Sequence, residues 1–68
     1  MHYHIDKTAA QSAYLQLYHQ LRRDIVGGVY PLGTKMPSKR LIATETGVSV
    51  ITVEHALAIL CDEGYLES

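Results

Sequence analysis

Apolar residues recur along this chain at helical spacing in separate windows. The first holds Tyr14, Leu17, Tyr18, Leu21 and Ile25 on one stripe, with Gln16, His19, Gln20, Arg23 and Asp24 on the other face. It predicts an amphipathic helix over 13–26, with Ser12 as its cap and Gly27-Gly28 as its stop. A second, shorter window turns Ile42 and Ala43 inward between a Ser38 cap and Gly47, which predicts a helix over 39–46. The third places Val53, Ala56, Leu57 and Leu60 on one stripe, between a Ser49 cap and Gly64, and predicts a helix from Val50 to about Glu63. Its opposite face carries Ile51, Glu54, His55, Ala58 and Asp62.

Between these windows the pattern lapses. Residues 1–11 have no sustained period; His2-Tyr3-His4-Ile5 alternates as an edge strand would, and the stretch is expected to be a flexible arm. His2 and His4 have no third ligand in view and make a poor metal site, so no metal is expected. Residues 29–36 read as a connector turned by Pro31 and Gly33. Tyr65 to Ser68 leave the third helix in extended form.

From Pro37 to Gly64 the order is therefore short helix, tight turn at Gly47-Val48-Ser49, longer helix. That is the outline of a helix-turn-helix, whose second helix lies in the DNA major groove. The expected partner is double-stranded DNA.

Charge adds a contrast to this outline. Before Leu41 there are six basic and two acidic residues, a balance of +4; from Leu41 onward there are five acids and no Lys or Arg, −5. Phosphate contacts accordingly fall at the front, where Thr34, Lys35, Ser38, Lys39 and Arg40 surround a helix start. On the longer helix, Ser49 is the cap and Thr52 is near enough to reach a phosphate or base edge. Ile51 suits a thymine methyl, Glu54 cytosine N4, and His55 an acceptor. The other reading of this face, ordinary surface or a protein contact, remains open, because reading helices usually offer Arg, Lys, Asn or Gln.

Sixty-eight residues, 47% of them hydrophobic and 19% charged, make one small domain rather than a disordered tail. A single cysteine, Cys61, forms no disulfide within the chain and sits at the edge of the third stripe as a small core or interface residue. With no secretion signal and no apolar run of membrane-spanning length, the expected location is cytoplasmic. No catalytic grouping or glycine-rich phosphate loop is present, and an enzyme is not expected.

The run Tyr14, Leu17, Leu21, Ile25, Gly28, Gly33, Pro37-Ser38, Arg40, Ala43, Gly47-Val48-Ser49, Thr52-Val53, Ala56-Leu57, Leu60 and Glu63-Gly64 resembles the GntR-type winged helix-turn-helix across 13–66. PLGTKMPSKR, GVSVITVEHA and EGYLE resemble its MocR subgroup. The resemblance implies an all-α core of three helices followed by a two-stranded wing, within whose first strand this sequence stops. With the arm read over 1–11, the DNA-binding domain is expected over 12–68. Arg40 matches the family's basic contact, and Ser38 and Thr52 match positions at or near phosphate. Val50 and Glu54 stand where many members carry base-reading arginines, and Thr46 is polar where the core is usually apolar.

The resemblance further implies a bacterial transcription regulator acting as a homodimer. A separate domain would bind a small-molecule effector, pyridoxal phosphate in the MocR subgroup, with no cofactor in this stretch. A module that binds protein through the acidic last helix is the alternative.

Overall fold

The computed structural model describes residues 3–30 and 36–66. They form α1 (Ala13–Val26), α2 (Lys39–Thr46) and α3 (Val50–Asp62), with no strand among the described residues. The helix bounds follow the apolar periodicity, α3 passing into its C-cap at Glu63. The turn expected at Pro31 and Gly33 lies outside the described residues, as do His2 and the last two positions.

Packing explains why the three stripes were visible. Leu17, Leu21, Ile42, Val53, Ala56 and Leu60 are fully buried, and Tyr18 and Ala43 nearly so. Tyr14, Ile25 and Leu57 are half-buried at the rim of this core. Both α1 and α2 pack on α3. Each fully buried leucine or isoleucine contributes roughly 1.5–3 kcal/mol relative to exposure.

Local chemistry sets where the helices begin and end. Ser38 Oγ accepts from the Leu41 amide at 3.1 Å, and Ser49 Oγ accepts from the Thr52 amide at 3.1 Å. Such caps stabilise a helix by about 1 kcal/mol. Ser12 differs: it occupies the N-cap position, but its hydroxyl makes no capping bond. Gln16 Nε2 instead donates to the Gln11 carbonyl at 2.7 Å, tying the chain before α1 to the first turn of the helix. Thr46, polar at a half-buried position, is satisfied because its hydroxyl donates to the Ile42 carbonyl at 2.7 Å.

Gly47 ends α2 at φ +76°, a left-handed conformation that opposes a Cβ. The chain then bends by 117° between α2 and α3. That angle falls in the range expected of a helix-turn-helix. No single helix among the described residues is long and apolar enough to cross a membrane.

The N-terminal stretch departs from the flexible arm expected of it. Tyr3 and Ile5 are buried at 7% and 8% exposure, with His4 and Asp6 outward. Gln20 pairs with both backbone groups of His4, accepting from its N–H at 2.9 Å and donating to its carbonyl at 2.7 Å. Gln16 does the same for Asp6, at 2.8 and 2.9 Å. Two glutamine amides, one turn apart on α1, thus take the place of a neighbouring strand and hold an extended strap.

The far end is also drawn onto α1. The Tyr65 amide donates to the Leu60 carbonyl at 2.9 Å and the Gly64 amide to Cys61 at 3.1 Å, which closes α3 with a Schellman motif. Arg22 Nε then donates to the Tyr65 hydroxyl at 3.1 Å, and its guanidinium lies 5.4 Å from the Tyr65 ring centroid. Of the wing expected after Gly64, the described residues include Tyr65 and Leu66, which form no strand; residues 67 and 68 lie outside them.

Candidate nucleic-acid interface

The start of α2 presents Ser38, Lys39 and Arg40, all exposed, with no acid in the first helical turn. The ion pair found among the described residues is Arg23 with Asp24 at 3.9 Å, so Lys39 and Arg40 are not neutralised by it. Four amides at a helix start have no partner within the helix, and their dipoles favour an anion. Ser38 satisfies one of these amides, that of Leu41, and two exposed cations, Lys39 and Arg40, stand beside this helix start. Thr34 and Lys35, expected to complete this cluster, lie outside the described residues.

The outer face of α3 has different chemistry. Ile51 is 78% exposed and Val50 39%, while Glu54, His55, Ala58 and Asp62 are all exposed. Thr52 is half-buried, and its hydroxyl lies 3.0 Å from Ser49 Oγ. Thr52 is thus partly committed to the cap, which leaves its hydroxyl less available than a free side chain would be.

His55 is not free either. Its ring stacks on Tyr14 of α1, with centroids 3.9 Å apart. Among the expected contacts on α3, Ile51 and Glu54 are exposed with no hydrogen-bond partner among the described residues, and Ser49 and Thr52 serve the turn.

The middle of α1 is also joined to the end of α3. Tyr18 donates to the Glu63 carboxylate, a bond that raises the phenol above its ordinary pKa. The Tyr65 hydroxyl likewise raises the Arg22 guanidinium. Among the described residues, no group of three His, Cys, Asp or Glu side chains is placed to hold a metal ion.

Comparison with known proteins identifies the family of this chain. Residues 13–68 match the family described as bacterial regulatory proteins, gntR family. The chain belongs to the GntR family. This GntR chain is 39% identical over 64 residues to the probable rhizopine catabolism regulatory protein MocR of Rhizobium meliloti, covering 94% of the chain and 13% of that protein. It is 38% identical to the uncharacterised HTH-type transcriptional regulator YdeL of Bacillus subtilis, covering 94% and 14%. Against the Exu regulon transcriptional regulator of Escherichia coli it is 42% identical, covering 88% and 23%. The chain therefore spans less than a quarter of the length of each of these relatives. No solved structure matches it. The helix-turn-helix pair α2–α3 lies within the residues that match this family.

Two features of this surface escaped the reading of the sequence. Tyr14 supports His55 from another helix, although the helical stripe already placed Tyr14 at the rim. Lys7, near the start of the chain, donates to the Gly47 carbonyl at the helix-turn-helix turn. The alternation of Tyr3 and Ile5, with Gln16 and Gln20 four residues apart, was the available signal for the strap that carries it.

Proposed function

We propose that this domain binds operator DNA as half of a homodimeric bacterial regulator. Ser38, Lys39 and Arg40 hold backbone phosphates, and the exposed face of α3 lies in the major groove. The observation that carries this reading is the exposed basic pair beside the capped start of α2, the helix that leads through a 117° bend into α3. Ile51 and Glu54 offer base contacts in place of arginines: a methyl-directed apolar contact and an acceptor for cytosine N4.

The wider protein follows by family likeness. We assign it to the MocR subgroup, with a cytoplasmic location and a further domain that binds the effector, pyridoxal phosphate in this reading. Lys7 and Lys39, the described lysines, both lie on the surface, so the described residues do not fit a pyridoxal phosphate site. That group would belong to the further domain.

Hydroxyl-radical footprinting of the natural full-length protein on its own upstream DNA tests the dimer. Two protected half-sites one helical turn apart, about 10 base pairs or a multiple, are expected. A single protected half-site counts against it. The exposed Ile51 among acids favours a second reading, a basic protein partner docked on α3; it predicts no footprint and capture of that partner through α3.

A further inference from the structure

α3 carries no Lys or Arg, so any cation beside its first turn must come from another element. One does. Lys7 Nζ donates to the Gly47 carbonyl at 3.1 Å, joining positions 40 residues apart. Gly47 opens the turn between α2 and α3 and precedes by two residues Ser49, the N-cap of α3. Strap and turn together line an open cleft of about 440 Å³ whose walls include Lys7, Gln11, Ser12, Val48, Ser49 and Thr52.

The strap is held firmly enough to keep Lys7 there. Tyr3 and Ile5 are buried before it, and Gln16 fixes both backbone groups of Asp6, the residue next to Lys7. Asp6 is the acid nearest in sequence, and its carboxylate is turned onto the strap itself. It accepts from the Thr8 amide at 2.9 Å and the Thr8 hydroxyl at 2.6 Å.

We infer that Lys7 is a DNA-backbone contact of this domain: the N-terminal strap brings to the start of α3 the phosphate-binding cation that the helix lacks. The ligand is a phosphodiester oxygen of duplex DNA, and the inference rests on the DNA-binding reading of α2–α3. The N-terminal end of a reading helix contacts base edges, and donors that reach the bordering phosphates fix its register. An ammonium has three donors. Gly47 takes one of them, holding the group at the turn and leaving the others for phosphate.

The test is a salt titration of the natural full-length protein against a fluorescein-labelled random-sequence duplex, comparing wild type, Lys7→Gln and Lys7→Arg. Lys7→Gln is expected to weaken binding and to lower the slope of log affinity against log salt by about 0.9, one phosphate contact. The advantage of wild type then shrinks roughly three- to fourfold between about 50 and 200 mM salt. Lys7→Arg keeps the wild-type slope. A Lys7→Gln protein that melts earlier yet keeps the slope shows a structural role alone and overturns the inference. Wild type that binds no duplex at low salt overturns the DNA reading and this contact with it.

Discussion

The imidazole of His55 lies nearly parallel to the ring of Tyr14, with centroids 3.9 Å apart and planes 15° from each other. Tyr14 comes from α1 and His55 from the solvent-facing side of α3, so the first helix sets the attitude of a side chain on the exposed face of α3. One face of the imidazole is covered by Tyr14, while the residue as a whole stays exposed. A stacked pair of this kind is worth about 0.5–1.5 kcal/mol.

Breaking the stack should therefore change discrimination more than affinity. Tyr14→Leu keeps an apolar rim residue and removes the ring; His55→Ala removes the contact. Competition binding over single-base-pair variants of the operator should show both substitutions relaxing preference at the same position. The double variant should be no worse than His55→Ala. Additive losses spread over the whole operator would mean that the stack only supports the fold.

Arg40 and Glu54 should separate affinity from preference. Arg40→Ala removes a cation at the α2 start and should weaken binding about equally on all duplexes, lowering the salt slope by about 0.9. Glu54→Ala leaves the slope unchanged and alters which sequence is preferred, because it removes an acceptor from the groove face. Equilibrium titrations on matched and mismatched duplexes distinguish the two patterns.

The strap makes a prediction readable without DNA. In wild type the His4 and Asp6 amides donate to Gln20 and Gln16 at 2.9 and 2.8 Å and should exchange slowly with solvent. Replacing both glutamines by alanine should bring those two amides to fast exchange and destabilise the domain by roughly 1–3 kcal/mol, the net worth of a few hydrogen bonds. Amide exchange followed by NMR checks it. Amides that exchange at the unfolded rate in wild type would remove the strap from the account.

How legible each part was follows from the range of its interactions. The helices repeat a local period over 8 to 14 residues, and their caps and stops lie within a few positions, so their bounds could be read directly. The strap repeats its period only twice, at Tyr3 and Ile5, and its hydrogen-bonding partners are side chains 10 and 16 positions away. Nothing local distinguishes such a segment from an arm. Ser12 shows the reverse error, a capping residue type in the capping position whose hydroxyl is not used. At the interface, the sequence located Ser38, Lys39 and Arg40 on the surface but could not reveal that His55 stacks or that Thr52 is tied to its cap.

Alkaline pH should expose the anchoring of the strap. Burial, then the hydrogen bond to Tyr30 at 2.5 Å, then the nearby Asp24 carboxylate, raise the Tyr3 phenol far above its ordinary value. Unfolded tyrosine ionises near about pH 10. A raised native pKa gives stability that is complete below that value and is lost as pH rises above it towards the native pKa. Tyr18, raised by its bond to Glu63, acts in the same direction. Thermal melts should hold steady up to about pH 9 and fall steeply beyond about pH 10. Tyr3→Phe should lose about 0.5–1.5 kcal/mol at neutral pH and show a shallower alkaline fall. An identical alkaline profile in the variant would place the sensitivity elsewhere.

In the proposed reading, exposed donors at the start of α2 hold DNA phosphates. It is tested most directly by titrating the natural full-length protein with a duplex of its own upstream DNA at a series of salt concentrations. Log affinity should fall linearly with log salt, with a slope that counts the phosphate contacts at about 0.9 each, and Arg40→Ala should reduce that slope. Absence of binding at low salt, or binding whose strength does not change with salt, would contradict it.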